Sequence, residues 1–317
     1  MSGIPRREFL VGMAAATVSA TSPFSLGETA SPFRASVIND EISQDFGHVC
    51  EVASKEFGMR WIELRGMWNK NIVSLDEKEV AETRRLLDKY QLKVTDIASP
   101  LFKVDWPGAP KSKYSEAKSF NASFTLSEQD GVLDRAIAMA KAFGTDRVRC
   151  FDFWRLDDQA PYRDAINDKL RDAAAKAEKK GIIIVLENEP ACNTATGAES
   201  AKVLSAVQSR SFMLNWDPGN AAASGEIPFP DGYNLLPKDR IGHCHCKDTV
   251  KKVKGFDWAP MGGGMIDWAG QFKALKRDGY HFAVSLETHW HGGGTPEESS
   301  RKSWAGMKKL LQEAAAL

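Results

Sequence analysis

Four apolar runs in the C-terminal half of the chain each close on groups that can hold a cation. "IIIVLENEP" ends at Glu187 and Glu189, "FMLNWDPGN" at Asn215 and Asp217, "GHCHCKD" at His245 and Lys247, and "AVSLETHWHGG" at Glu287, His289 and His291. Successive side chains of a strand point to opposite faces. Val185 and Glu187 therefore share a face, as do Asn215 and Asp217, His243, His245 and Lys247, and Ser285 and Glu287. A charge closing an apolar strand is costly unless it is paired or ligating, and four successive strands carry one. Glu187, Asp217, His245 and Glu287 then converge as three carboxylates and one imidazole. That donor set suits one divalent ion, Mn²⁺ first, with Mg²⁺, Co²⁺, Fe²⁺ or Zn²⁺ also accommodated. An ion bridging a carbonyl oxygen and a neighbouring hydroxyl stabilises the charge that develops when the adjacent C–H proton leaves, and a nearby carboxylate can take that proton. Return of the proton to the other face gives an epimer, relay between carbons an isomer, and loss of a β-oxygen substituent an elimination.

Two histidines and two cysteines in four consecutive positions, His243 to Cys246, suggest a zinc knot. Alternation dissolves it, because Cys244 and Cys246 face away from the histidines. A C-x-C inside a strand lacks the convergent loop spacing of a structural zinc site. The cysteines are expected to pack as small apolar residues. The five cysteines of the chain are scattered and odd in number, so they form no disulfide framework.

The elements that must position these groups read as eight short strands alternating with amphipathic helices: 35–39, 61–65, 94–98, 147–151, 182–187, 212–217, 241–246 and 282–287. Helices over "GVLDRAIAMAKAFG" and "YRDAINDKLRDAAAKAEKKG" close on Gly144 and Gly181, and the last opens with Thr295-Pro296-Glu297-Glu298, a capping box with proline at the first position. Eight alternating units predict an α/β fold, a (β/α)8 TIM barrel in one domain over residues 31–317. Its long loop after strand 3, Ser99 to Asp130, carries Phe102, Trp106, Tyr114 and Phe120. It reads as a lid or substrate wall, or as an insert whose aromatics pack on the rim.

Residues 1–30 contain Arg6-Arg7, Phe9-Leu10 and a weakly apolar Ala-rich stretch, which predicts a twin-arginine export signal and linker, with cleavage after Ala20 or Ala30. The expected location is periplasmic or secreted, with no membrane association after cleavage. Lys+Arg and Asp+Glu both number 42 in the 317 residues, so no bulk field gathers nucleic acid. The expected partner is a small-molecule carbohydrate, with homo-oligomerisation left open.

The run "LENEP", "NWDPGN", "HCHCKD", "PMGGGMIDW" and "SLETHW" resembles the xylose isomerase-like TIM-barrel superfamily, in particular its sugar phosphate isomerase/epimerase proteins. The resemblance covers nearly all of the chain after the signal. It implies a metal held by Glu187, Asp217, His245 and Glu287, and an acid/base pair of Glu187 and Glu287 on opposite faces of the substrate. Two positions depart from the family's ketose epimerases: Asn220 stands where they carry a histidine, and their strand-7 loop arginine is missing. Motifs "DPGN" and "HxHxKD" match better the broad branches that include inosose dehydratase-like and keto-glycoside lyase-like proteins, so a lyase is the alternative. A sugar-binding barrel without turnover and a metal-dependent endonuclease are the remaining rivals, the latter disfavoured by the neutral charge.

Around this centre, Lys247 is read as a substrate hydrogen-bond donor, or as an ion-pair partner of Glu287 or Glu189. His289 is read as an extra acid for a leaving group, and His243 and Asn220 as substrate contacts. Glu63 and Arg65 of "WIELRG" are expected to line the bowl or to pair with a neighbour. Trp106, with Trp68, Trp258 and Trp290, offers apolar faces to a sugar ring or to the core. "PMGGGMIDW" reads as a turn before the last crossover helix, with a phosphate cradle as the alternative. Export favours an unphosphorylated keto-sugar, glycoside or cyclitol.

Overall fold

The computed structural model describes residues 31–115 and 123–317. Eight parallel strands form the sheet: β1 (Arg34–Val37), β2 (Trp61–Leu64), β3 (Lys93–Leu101), β4 (Arg147–Cys150), β5 (Ile183–Glu187), β6 (Phe212–Trp216), β7 (Ile241–Cys246) and β8 (Ala283–Leu286). Their order is β1-β8-β7-β6-β5-β4-β3-β2. A parallel bridge between Ile38 and Glu63 brings the two edges together. With helices between the strands, this is the expected TIM barrel.

The strands match the sequence reading within two residues, except that β3 runs on to Leu101. Pro100 lacks an N–H, and the pairing with β4 is irregular between Ile97 and Leu101. Ser99 Oγ donates to Arg149 O at 2.6 Å across that gap, so the strand is held where its ladder weakens. The helix Pro296–Glu313 has the expected capping box between Thr295 and Glu298. Gly144 and Gly181 close their helices at φ 72° and 67°, where a β-carbon would be strained.

Outward-facing Val148, Ile184, Leu186, Leu214, Cys244, Cys246, Val284 and Leu286 are fully buried against the helices. All five cysteines are free and buried. The barrel interior is different. Ser36, Glu63, Asp96, Arg149, Asn215, His243 and Ser285 are buried there, where TIM barrels mostly stack branched aliphatics. Buried polar groups need partners, and this layer lies directly beneath the candidate centre.

The loop after β3 favours the rim-packing reading over much of its length. Phe102 stacks on Phe153 with centroids 5.1 Å apart, Trp106 meets the same ring edge-on at 4.7 Å, and Tyr114 packs against the Phe151–Trp154–Cys192 cluster. Pro100 and Lys103 still line the central cleft. Phe120 and the export-signal region lie outside the described residues. Among the described residues no helix is long and apolar enough to cross a membrane.

Candidate metal centre

Each of the four expected ligands stands at or next to the C-terminal end of a barrel strand. Glu187 is the last residue of β5, Asp217 follows β6 and caps the helix Pro218–Ala223, His245 lies in β7, and Glu287 follows β8. One ligand atom from each lies within 4.8 Å of the others. His245 Nδ1 faces Glu187 Oε1 at 3.4 Å, Glu287 Oε2 at 3.4 Å and Asp217 Oδ2 at 3.7 Å. These are buried side chains, and His245 Nδ1 has no hydrogen-bond partner. An orphaned imidazole nitrogen aimed into three carboxylate oxygens fits a divalent ion.

Arginines hold the outer oxygens of both glutamates. Arg149 Nη1 donates to Glu187 Oε2 at 3.0 Å, and Arg65 Nη1 donates to Glu287 Oε1 at 2.8 Å. Asn220 Nδ2 steadies the inner oxygen, Glu187 Oε1, at 3.1 Å. Lys247 Nζ reaches Asp217 Oδ2 at 2.8 Å and Glu287 Oε2 at 2.5 Å. Burial alone would raise the Glu187 carboxyl, but His245 and Arg149 hold it below the usual range. Glu287 is likewise held well below it against burial, chiefly by Lys247, His289 and His245. For His245, burial opposes the charged ring, yet Glu63, Glu187 and Glu287 keep its proton affinity well above that of a free imidazole.

Two further groups of potential ligands share residues with this one. Glu41, Glu287 and His289 converge, but Arg65 already occupies them, with Nη2 at 2.7 Å from Glu41 Oε1 and Nε at 2.9 Å from Asp40 Oδ1. Glu63, His243 and His245 form the second. There His245 would have to give Nε2 to a second ion while Nδ1 serves the first, which a neutral imidazole does not do. In the four-residue cage His245 Nδ1 has no partner, while Lys247 Nζ sits on Asp217 Oδ2 and Glu287 Oε2 and Asn220 Nδ2 on Glu187 Oε1.

Not every residue assigned to substrate lies in the cleft. A cavity of about 330 Å³ opens onto Glu187, Glu287, Arg65, His289, His291, Trp290, Glu189 and Lys103. Glu63 and His243 are fully buried outside it, and Glu63 Oε1 meets His245 Nε2 at 3.0 Å. Asn220 holds Glu187 and Asn188 O instead of reaching the cleft. Trp106 packs on Phe153, and Trp68 sits edge-on to Phe46 at 6.2 Å. Trp258 covers Lys247 with its ring 5.1 Å from Nζ and packs on His289 at 5.3 Å. Lys247 takes the ion-pair role with Asp217 and Glu287, not with Glu189.

The glycine turn is wrapped around a carboxylate of the chain itself. Asp248 Oδ2 accepts from Gly262 N at 3.1 Å and Gly264 N at 3.0 Å, and Oδ1 from Ile266 N at 3.3 Å. A β-carbon on Gly264 would fall 2.2 Å from Asp248 Oδ1. These amides are therefore spent on Asp248, which supports the turn reading over a phosphate cradle.

Arg149, Asp40, Glu41 and Lys103 are site residues that sequence reasoning missed. The same test of strand ends would have found the first three. Arg149 alternates inward with Arg147 in "RVRC", and Asp40 and Glu41 follow β1. Burial raises the Asp40 carboxyl to about 6, with Arg65 opposing.

The model of the xylose isomerase-like TIM barrel family matches residues 52–310. No curated protein matches the chain by sequence. Solved structures share the fold at low identity. The probable 3-DHS dehydratase AsbF of Bacillus anthracis is 19% identical, with a TM-score of 0.65 over 88% of this chain and 98% of that one. The IolI protein with a bound zinc atom is 18% identical, with a TM-score of 0.66 over 89% and 98%. D-psicose 3-epimerase, crystallised in the presence of D-fructose, is 16% identical, with a TM-score of 0.64 over 89% and 99%. The nearly closed ring of eight strands, the cage on its last four, and a family match spanning most of the chain lead to one assignment: this protein belongs to the xylose isomerase-like TIM barrel family.

Proposed function

We propose that the protein is a divalent-metal-dependent sugar isomerase or epimerase acting on a keto-sugar or related polyol. The observation that carries the reading is the orphaned His245 Nδ1 facing one oxygen each of Glu187, Asp217 and Glu287. An ion held there, Mn²⁺ by preference, would polarise a carbonyl oxygen and its neighbouring hydroxyl and so acidify the adjacent C–H. Arg149 and Arg65 take the outer oxygens of Glu187 and Glu287, leaving each glutamate a single inner oxygen toward the cage. Those two carboxylates stay ionised at neutral pH and serve as the proton-transfer pair. His289, Trp290 and His291 with Glu189 and Lys103 form the wall that orients the sugar. The cleft carries the five carboxylates of Asp40, Glu41, Glu187, Glu189 and Glu287 against the three cations of Arg65, Lys103 and Arg149, an acidic excess that favours an uncharged ligand over a phosphorylated one.

A second reading is a β-eliminating lyase on a keto-glycoside or inosose. It is favoured by His289, whose Nε2 lies 3.5 Å from Glu287 Oε1 at the cleft, placed to protonate a departing oxygen. The proposed location is periplasmic or secreted, on the strength of Arg6-Arg7 and the Ala-rich stretch that follows. N-terminal sequencing of protein recovered from the periplasm would check it.

Glu187→Gln tests the reading. With Mn²⁺ in D₂O and a panel of keto-sugars and 3-keto-glycosides, the unaltered protein should wash deuterium into recovered substrate or epimer, and the variant should lose about 10²–10⁴-fold of that rate. An unsaturated product moves the assignment to the lyase. Sugar binding with no exchange in either protein leaves a binding barrel and ends the enzymatic reading.

A further inference from the structure

The first histidine of "HCHC" and the glutamate of β2 are unused by the chemistry above, yet both are fully buried at the back of the cage. Four polar side chains meet there. Glu63 Oε1 lies 3.0 Å from His245 Nε2, and Glu63 Oε2 lies 3.5 Å from His243 Nε2. Asn215 bridges the two rings, its Oδ1 3.1 Å from His243 Nδ1 and its Nδ2 3.1 Å from His245 Nε2.

The contacts of His245 Nε2 make opposite demands. A carboxylate can only accept, and an amide NH₂ can only donate. Nδ1 must offer a lone pair to an ion, so Nε2 must carry the hydrogen and point it at Glu63. Turning the Asn215 amide over removes the conflict, since its oxygen and nitrogen are interchangeable in shape. The Asn215 oxygen then shares the His245 Nε2–H with Glu63 Oε1 as a second acceptor, and its NH₂ donates to His243 Nδ1. His243 is thereby fixed with its hydrogen on Nε2, aimed at Glu63 Oε2, two atoms that otherwise have no partner.

The backbone is irregular where this group forms. The pairing of β2 with β3 shifts between Ile62 and Leu64, on either side of Glu63, and the pairing of β6 with β7 shifts between Leu214 and Asn215. Such bulges re-aim side chains. Gly242 sits at the second shift, where a β-carbon would lie 2.9 Å from Met213 Cβ.

We propose that Glu63, His243 and Asn215 are positioning residues that lock the hydrogen of His245 on Nε2 and so present Nδ1 to the cage as a metal ligand. The inference rests on the metal-dependent reading. A carboxylate behind a ligating histidine fixes its tautomer and ring angle, and losing it typically weakens metal binding about 10–100-fold.

The test pairs calorimetric Mn²⁺ titration of the unaltered protein and of Glu63→Gln with ¹⁵N spectra of the histidine rings in the Zn²⁺-loaded unaltered protein. The expected results are an affinity loss of about 10–100-fold in the variant, and a His243 ring with pyrrole-type Nε2 and pyridine-type Nδ1. Equal Mn²⁺ affinity in both proteins, or a His243 hydrogen on Nδ1, overturns the relay while leaving the metal reading intact. No metal uptake by the unaltered protein overturns both. If the variant does not fold, the spectrum of the unaltered protein still decides, because a purely structural Glu63 would not dictate the His243 tautomer.

Discussion

Lys247 places its ammonium 2.5 Å from Glu287 Oε2, an oxygen that His245 Nδ1 also faces. The ammonium would therefore contend with a divalent ion for one of the proposed ligand oxygens, and Asp217 Oδ2 at 2.8 Å is a second. The Trp258 ring, 5.1 Å from Nζ, offers the displaced cation another station. Lys247→Met should tighten Mn²⁺ binding by about tenfold, the equivalent of one charge-assisted hydrogen bond, while lowering turnover. Calorimetry with steady-state kinetics reads both. An unchanged dissociation constant would mean that lysine and ion do not share those oxygens.

Metal uptake should release a proton. Burial disfavours a charged His245, but Glu63, Glu187 and Glu287 hold it protonated well beyond the usual imidazole range. An ion binding Nδ1 must displace that hydrogen. Near pH 7, about one proton should leave per Mn²⁺ bound, and affinity should fall as pH drops. Titration calorimetry in buffers of different ionisation enthalpy measures the number. Heats independent of buffer would exclude His245 as the ligand.

Arg149→Met leaves Glu187 buried without its guanidinium. Breaking one side of a buried pair costs about 3–5 kcal/mol. Arg149 helps to depress the Glu187 pKa, so this pair contributes stability above the ordinary carboxylate range and loses it as pH falls through the lowered folded value. The deficit of the variant should accordingly be largest at neutral pH and smaller in acid, and the acid limb of its kcat/KM profile should move to higher pH. Denaturant midpoints at pH 4 and pH 7 supply the comparison. A uniform loss at both would assign Arg149 to packing alone.

Asp96 is fully buried, and neither carboxyl oxygen has a hydrogen-bond partner. Burial, then the charge of Glu63, raise it from 3.8 to about 8. The folded protein thus binds a proton that the unfolded chain gives up. The contribution of Asp96 is fully present below the unfolded value and is lost as pH rises toward the folded one. Asp96→Asn cannot ionise, so its Tm should gain on that of the unaltered protein steadily between pH 5 and pH 8. Parallel Tm curves would show that Asp96 is already charged in the fold.

The eight strands, the helix caps and the inward set Glu187, Asp217, His245 and Glu287 were all legible in the chain, because alternation and capping are local rules with periods of a few residues. The same parity turns Arg149 inward on β4. Glu63 and His243 face inward, as alternation gives, but lie behind the cage and not in the cleft, where Glu63 takes its alternative role of pairing with a neighbour, His245. Alternation states which side of a sheet a residue faces; it does not say whether that side chain meets the cleft or the back of another ligand.

The sequence by itself determined a parallel barrel with groups able to hold a cation at the ends of its last four strands, since strand period and helix chemistry are properties of neighbouring residues. Closure decided the rest. Only when β1 meets β2 does Glu63 come within reach of His245 across 182 positions of chain, and does Arg65 come within reach of Glu287 across 222. Interactions between distant residues depend on strand register and on bulges, which the whole ring sets together and no local stretch encodes.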